Sequence, residues 1–191
     1  MGKKQYSPLE YPNLFFVEGG FLEPNVAGPF DVIVSNCALQ HCENKLLAFE
    51  NVYGLLKPRG KLLLSIPAID NPAWKEAWRH LEMLPKWASY WEGSRPIHFL
   101  SVERYIELLK DAKFHPLNVE KIQTQDPFID REEFLTFLIG TMTPAVPLEL
   151  VRDFFNELID EYLHLLPDAL KPDGVVEARF GRIVIEAMRL D

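Results

Sequence analysis

A strand–helix–strand pattern between residues 30 and 66 constrains the fold most tightly. Residues 31–36 contain three consecutive β-branched side chains and no polar face, which is typical of a strand covered by helices on both sides. Apolar side chains at helical spacing follow over residues 44–56, residues 57–60 (Lys-Pro-Arg-Gly) end the helix, and residues 61–66 form a second apolar strand. The pattern predicts an α/β fold with a right-handed βαβ unit, a parallel strand pair and a central position for the strand at 31–36.

The rest of the chain adds strands at both ends and helices between them. An apolar run at residues 14–18 predicts a strand that ends at Gly19 and Gly20. All four tryptophans lie between residues 71 and 91, in one or two predicted helices. Further helices are predicted at residues 101–113, 130–139 and 147–166, and strands at 117–123 and 175–188. With 191 residues, we expect one domain in which 14–66 carries strands, 67–100 and 127–170 form a helical cap, and 114–126 and 175–189 are C-terminal strands.

Charge and cysteine content narrow the possible partners. Twenty basic and 28 acidic residues give a net charge of −8, so the broad positive field that attracts nucleic acid or anionic membranes is absent. No apolar run is long enough for a membrane span, and the first residues lack the apolar core of a signal peptide. The only two cysteines cannot form a disulfide framework. We therefore expect a soluble, cytoplasmic protein.

Two segments resemble the class I S-adenosylmethionine-dependent methyltransferases. Residues 30–41 (FDVIVSNCALQH) and 56–67 (LKPRGKLLLSIP) are similar to the fourth and fifth strand motifs of that family, in the same order. Residues 131–141, the helix that ends near Tyr162, and residues 181–187 are similar to the trans-aconitate methyltransferase group. The resemblance implies the C-terminal part of a Rossmann-like sheet, mixed and mostly parallel, with a helical cap and S-adenosylmethionine as the cofactor.

The departures from the family pattern are equally informative. In the family, a glycine-rich turn follows the first strand and an acidic residue follows the second, and neither has a counterpart here. The family sheet order 3-2-1-4-5-7-6 would place the strand at 14–18 three steps, or about 14 Å, from the strand at 31–36. We therefore expect either the C-terminal portion of a longer methyltransferase or a short one completed by another chain. Without the intervening strands, residues 32–34 become an exposed apolar edge.

The resemblance also assigns candidate cofactor residues. It places the backbone of Asn36, Cys37 and Ala38 near the methionine end of the cofactor, with Gln40 in the following loop, and it places Gly19 and Gly20 where the family has a Gly-Asp pair near the adenine. The absent glycine-rich turn makes cofactor binding by this chain alone an open question. An ordinary strand-to-helix turn with an asparagine cap is the alternative interpretation of residues 36–38.

His41 is the candidate catalytic residue. The pKa of an unperturbed histidine, about 6.5, suits a general base near neutral pH. An exposed loop histidine without a catalytic role is the alternative. A carboxylate acceptor would need no base, because it is already anionic and only has to be aligned with the methyl group. Cys37, His41 and Cys42 do not fit the spacing of a zinc site, so no metal is expected.

The candidate substrate residues lie in the second half of the chain. Aromatic side chains could exclude water from the acceptor, and arginines and histidines could hold its carboxylate. Alternatively, the tryptophans simply cover the edge of the sheet. The acidic residues at 130–133 and 160–161 are interpreted as helix surfaces and helix ends rather than as acid–base catalysts. The candidate substrate-binding residues are Trp74, Trp78, Arg95, His98, Arg179 and Arg182.

Three functions remain open from the sequence. The first is a methyltransferase that acts on a small, carboxylated metabolite by in-line displacement. On this interpretation, the chain of 191 residues could be inactive by itself. The second is a non-catalytic fragment or interaction subunit that pairs through its exposed sheet edge with a second copy or a complementing chain. The third is a methyltransferase for a phenol or amine, in which a base at His41 would matter more.

Overall fold

The computed structural model describes residues 10–68, 71–91, 99–142 and 144–191. These residues divide into two compact units, one from residues up to 64 with 100–119 and 185–191, and the other from 65–99 with 120–184. The described elements, in chain order, are β1 (Phe30–Asn36), α1 (Lys45–Leu55), β2 (Leu56–Ala68), α2 (Pro72–Met83), α3 (Pro85–Trp91), α4 (Val102–Asp111), β3 (His115–Phe128), α5 (Arg131–Thr141), α6 (Val151–Leu165) and β4 (Val176–Met188).

The described strands form one four-stranded sheet in the order β1-β2-β4-β3. The predicted α/β class is therefore confirmed, and this order is the 4-5-7-6 half of the sheet that the resemblance implied. The N–H of Arg59 donates to the carbonyl of Arg189 at 2.8 Å, and the N–H of Arg189 donates to the carbonyl of Gly60 at 3.0 Å. Because the start of β2 thus meets the end of β4, these two strands are antiparallel.

The chain passes very close to itself where β1 and β2 begin. A methyl group on Gly28 would lie 2.6 Å from the carbonyl oxygen of Leu55, and one on Gly60 would lie 3.1 Å from the carbonyl oxygen of Phe30. Only glycine permits such a close backbone approach. The N-terminal ends of β1 and β2 therefore lie side by side, as the predicted parallel βαβ unit requires.

The boundary between α1 and β2 differs from the prediction. Asn44 caps α1 by accepting a hydrogen bond from the N–H of Leu47 at 3.0 Å. The helix ends at Leu55, and residues 57–60, predicted as a turn that ends the helix, already belong to β2. The left-handed backbone of Arg59, with φ of 64°, provides the bend inside the strand. The hydrogen bonds to Arg189 supply the partner that the sequence pattern did not reveal.

The core of the first unit lies where α1 and α4 pack together. The ring of Phe114 meets Phe49 and Tyr53 edge-on, with centroid distances of 6.4 and 5.2 Å. Tyr105 on α4 is completely buried. Arg189 donates to the carbonyls of Tyr53 and Leu56 at 3.1 and 2.9 Å, and its guanidinium lies 4.8 Å from the centre of the Tyr53 ring.

The core of the second unit is formed mainly by four helices, α2, α3, α5 and α6, which confirms the helices predicted there. All four tryptophans belong to this unit. The side chain of Asp130 caps α5 by accepting from the N–H of Glu133, whose carboxylate accepts in turn from the N–H of Ile129. The large aromatic side chains that pack together in this core include Trp74, Trp87, Phe134, Phe154, Phe155 and Tyr162.

The predicted strand at residues 14–18 is wrong. Residues 12–29 contain turns, bends and irregular backbone but no strand, and the side chain of Phe15 is 80% exposed. An apolar run forms a strand only when a neighbouring strand completes its backbone hydrogen bonds, and no described strand lies beside this one. The segment is instead held by the Asn51 amide, which donates to the carbonyls of Phe21 and Leu22 at 2.9 and 3.0 Å.

The central position predicted for β1 is also wrong, because β1 is an edge strand. Val32 is 49% exposed and Val34 is 68% exposed. The strands that the family has beside this one are absent from the described residues, so this edge of β1 has no partner there. This agrees with the expectation that residues 32–34 form an exposed apolar edge when those strands are missing. No helix in the described part of the chain is long and apolar enough to span a membrane.

Candidate functional site

The turn that follows β1 has an unusual backbone. Cys37 adopts a left-handed conformation with φ of 51°, which is uncommon for a residue with a side chain. The next residues form a short 3-10 turn, Leu39–His41, in which His41 donates its N–H to the carbonyl of Ala38 at 3.1 Å. Such conformations cost about 1–3 kcal/mol and concentrate at functional sites. Asn36, Cys37 and Ala38 all expose their side chains at this turn.

Gln40 is a buried polar residue within this turn. Its side chain is only 7% exposed, and its amide nitrogen donates to the carbonyl of Cys37 at 2.9 Å. The same nitrogen lies 3.2 Å from Nε2 of His41, whose side chain is exposed. The other amide atom, Oε1, is buried and has no hydrogen-bond partner among the described residues. The structure thus brings the predicted residues 36–38, 40 and 41 together in one turn.

Lys45, which the sequence analysis missed, lies next to this turn. It is buried in the first turn of α1 and donates from Nζ to the carbonyl of Cys42 at 2.8 Å. Burial lowers the pKa of Lys45 and raises the pKa of the Cys42 thiol. The signal in the sequence was a lysine at a helix N-terminus, where a positive charge opposes the helix dipole.

Gly19 and Gly20 lie in the exposed segment before β1. The N–H of Gly20 donates to the carbonyl of Glu23 at 3.3 Å, which closes a local turn. A methyl group on Gly19 would lie 3.0 Å from the backbone nitrogen of Asn25, so this position is crowded. Both glycines belong to the first unit, as does the turn after β1. Their assignment to the cofactor stays a prediction.

The described candidate substrate residues all belong to the second unit. Trp74 is buried against Phe134 and Tyr162, and its indole N–H has no hydrogen-bond partner among the described residues. Trp78 is half-buried and donates to Glu82 at 2.8 Å. Their proposed contact with substrate stays a prediction.

The candidate arginines of β4 are both partly buried. Arg179 forms an ion pair with Asp168, so its charge is already balanced in the described structure. The N–H of Arg179 also donates to the hydroxyl of Tyr162 at 3.2 Å. Arg182 lies further along the same strand. The remaining two candidates, Arg95 and His98, lie outside the described residues.

An open cleft of about 400 Å³ lies between α3 and α6, within the second unit. Trp87 donates its indole N–H to Glu157 at 3.0 Å, and Lys86 forms an ion pair with the same carboxylate. Hydrophobicity patterns did not indicate this cleft, because its polar side chains form hydrogen bonds and ion pairs with each other between two helices that are distant in sequence. No group of three or more metal-binding side chains occurs within the described ranges.

The family comparison covers parts of both units. Residues 9–119 match a family model described as a methyltransferase domain. This range contains β1, the turn with Gln40 and His41, α1, β2, α2, α3, α4 and the start of β3. It also includes the exposed segment before β1.

One curated relative and two solved structures are similar to the chain. Juvenile hormone acid O-methyltransferase of Drosophila melanogaster is 28% identical over an alignment of 148 residues, and the match covers 73% of this chain and 49% of that protein. YcgJ from Bacillus subtilis has a TM-score of 0.58 and 18% identity, covering 96% of this chain and 75% of that one. BH2331 from Bacillus halodurans has a TM-score of 0.54 and 15% identity, covering 92% and 78%. The chain therefore spans about half the length of its curated relative and shares the fold of the two bacterial proteins.

Proposed function

Because the chain belongs to the methyltransferase domain family, we propose that it serves the transfer of a methyl group from S-adenosylmethionine to the carboxylate of a small metabolite. The family match carries the reaction type, since it includes the turn after β1 that the resemblance assigns to the cofactor. Two independent observations support the carboxylate. The second half of the chain resembles the trans-aconitate methyltransferase group, and the curated relative is named for an acid that is methylated on oxygen.

A carboxylate acceptor makes modest demands on the protein. One of its oxygens attacks the methyl carbon, the carbon–sulfur bond breaks, and the electron pair of that bond stays on sulfur. No proton has to be removed, so the protein has to align the two reactants and exclude water. A phenol or amine acceptor would instead require a base, for which His41 is the candidate.

Cofactor binding can be tested with saturation-transfer NMR on the 191-residue chain and S-adenosylhomocysteine. The chain has no G-x-G-x-x-G motif, so we expect weak binding with a Kd on the order of 1 mM, about −4 kcal/mol. Ala38→Trp places a bulky side chain at the exposed turn and should abolish the signal. Ala27→Trp, at an exposed position before β1, is the matched control and should leave the signal unchanged.

Methyl transfer is then measured with S-adenosylmethionine labelled in its methyl group and a panel of acceptors that includes trans-aconitate and other carboxylates, phenols and amines. Label in a carboxylate product that is lost in Ala38→Trp supports the proposal. Label only in a phenol or amine product contradicts the proposed acceptor. The absence of both binding and transfer would refute the catalytic proposal. It would favour a non-catalytic subunit that pairs through the exposed edge of β1.

A further inference from the structure

The orientation of the Gln40 side chain is determined by its neighbours. Its amide nitrogen faces the carbonyl oxygen of Cys37 at 2.9 Å. Rotating the amide by half a turn would bring two oxygen acceptors to that distance and leave both without a hydrogen. The amide nitrogen of Gln40, and not its oxygen, therefore faces Cys37, and it donates one hydrogen to the Cys37 carbonyl.

The second hydrogen of the same amide determines the state of His41. The Gln40 nitrogen lies 3.2 Å from Nε2 of His41. Since a Gln nitrogen can only donate, Nε2 has to be the acceptor and carries no proton. A neutral imidazole protonates one nitrogen, so the proton resides on Nδ1. Nδ1 has no partner among the described residues.

Gln40 also carries a buried acceptor atom. Gln40 is 93% buried by its 7% exposure, yet its Oε1 has no hydrogen-bond partner in the described structure. A buried, unpaired acceptor costs about 1–3 kcal/mol. The exposed histidine and the unpaired oxygen are thus linked through one amide.

We infer that Gln40 is a positioning residue that holds His41 in the Nδ1–H form, so that His41 offers the acceptor a hydrogen-bond donor rather than a base. The inference rests on the proposed function and specifies its substrate class. Protonation of Nε2 would break its hydrogen bond with Gln40 and bring two N–H donors together, so this contact disfavours the use of His41 as a base. The turn therefore suits an acceptor that is anionic before the reaction, and a carboxylate accepts the Nδ1–H hydrogen bond.

The tautomer is tested by long-range ¹⁵N–¹H NMR on protein labelled at histidine, with His41→Asn used to assign the signal among the five histidines. We expect a protonated Nδ1 and a bare Nε2 in His41. Gln40→Glu replaces the donor by an acceptor and should move the proton to Nε2. Gln40→Met removes both amide hydrogens at similar size and should abolish the preference for Nδ1–H.

A protonated Nε2 in the unsubstituted protein would overturn the inference, and so would an unchanged tautomer in Gln40→Met. These NMR results do not depend on catalysis, so they separate a failure of this inference from a failure of the proposed function. If a carboxylate is methylated, Gln40→Glu should lower that activity by about tenfold or more through loss of one hydrogen bond to a charged acceptor. Equal activity of Gln40→Glu and the unsubstituted protein would also contradict the inference.

Discussion

Tyr105 carries a phenol that the first unit buries completely. Its hydroxyl has no hydrogen-bond partner in the described part of the chain, and burial raises its pKa from the usual 10 to about 12. A buried hydroxyl without a partner costs about 1–3 kcal/mol. The side chain therefore contributes to stability through its ring, while its oxygen opposes folding.

We expect Tyr105→Phe to raise the free energy of unfolding by about 1 kcal/mol at neutral pH. Because the folded state holds the Tyr105 proton more tightly than the unfolded chain, stability falls as the pH rises through the window between about 10 and about 12. Tyr105→Phe should remove this part of the alkaline loss, roughly 2–3 kcal/mol. Urea unfolding followed by circular dichroism across this pH range measures both effects.

Tyr162→Phe is the matched control, because its hydroxyl is also buried but accepts a hydrogen bond from the N–H of Arg179 at 3.2 Å. Its loss should lower the free energy of unfolding by about 1 kcal/mol. A stabilising effect of Tyr162→Phe together with a destabilising effect of Tyr105→Phe would contradict this account of the two hydroxyls.

Individual residues were the part of the site that sequence reasoning approached least well. The resemblance placed Gln40 and His41 in one turn, but the direction of the Gln40 amide depends on where the Cys37 carbonyl lies. Lys45 was missed because its burial depends on residues that pack over α1. Hydrogen-bond direction and burial are three-dimensional properties that spacing along the chain does not encode.

At the scale of elements, the N-terminus of α5 has a well-defined cap. Asp130 accepts from the N–H of Glu133 at 2.8 Å, and both residues belong to the acidic group that the sequence analysis interpreted as a helix end. We expect Asp130→Ala to lower the free energy of unfolding by about 1 kcal/mol, because it leaves an N–H of the first turn without a partner. Thermal unfolding followed by circular dichroism provides the measurement.

Asp111→Ala is the control for charge, since Asp111 lies at the opposite end of a helix, α4. An acidic group at a helix C-terminus opposes the dipole, so its removal should be neutral or slightly stabilising. Equal losses of stability in the two variants would show that net charge, rather than capping, is responsible.

Elements with strong periodicity could be predicted, whereas elements that depend on a neighbour could not. The apolar positions of α4 and α6 located these helices from local information alone. The run at 14–18 has the composition of a strand, but no described strand lies beside it. The start of β2 was misplaced for the converse reason, because its partner, Arg189, is distant in sequence.

At the scale of the whole chain, Arg189 joins the end of the polypeptide to the helix and strand near residue 55. It donates two side-chain hydrogen bonds to the carbonyls of Tyr53 and Leu56 and stacks on the Tyr53 ring. We expect Arg189→Met to lower the free energy of unfolding by about 2 kcal/mol, since two partly buried carbonyls lose a charged donor. Hydrogen exchange of the β2 amides reports this loss directly.

Lys61→Met is the matched control. Lys61 forms an exposed ion pair with Glu186 at 2.8 Å, also between β2 and β4. Exposed pairs contribute only about 0–1 kcal/mol, so the change should be small. A loss as large as that of Arg189→Met would contradict the role assigned to the carbonyl contacts.

The order of the sheet came from the resemblance rather than from hydrophobicity, because strand order depends on contacts between distant residues. The same comparison of motifs identified which strands lacked neighbours, and the exposed Val32 and Val34 follow from that. Acceptor specificity is not encoded at this scale. Under the proposed function, it would depend on a few side chains, such as His41, whose hydrogen-bonding state is determined locally.

The location of the tryptophans has a consequence for spectroscopy. Trp74, Trp78, Trp87 and Trp91 all belong to the second unit, and the first unit contains none. Intrinsic tryptophan fluorescence therefore monitors the helices around α6 and is insensitive to local unfolding of β1, α1 and the turn with His41. A tryptophan introduced at an exposed position of the first unit, such as Ala27, would add a fluorescence signal from that unit.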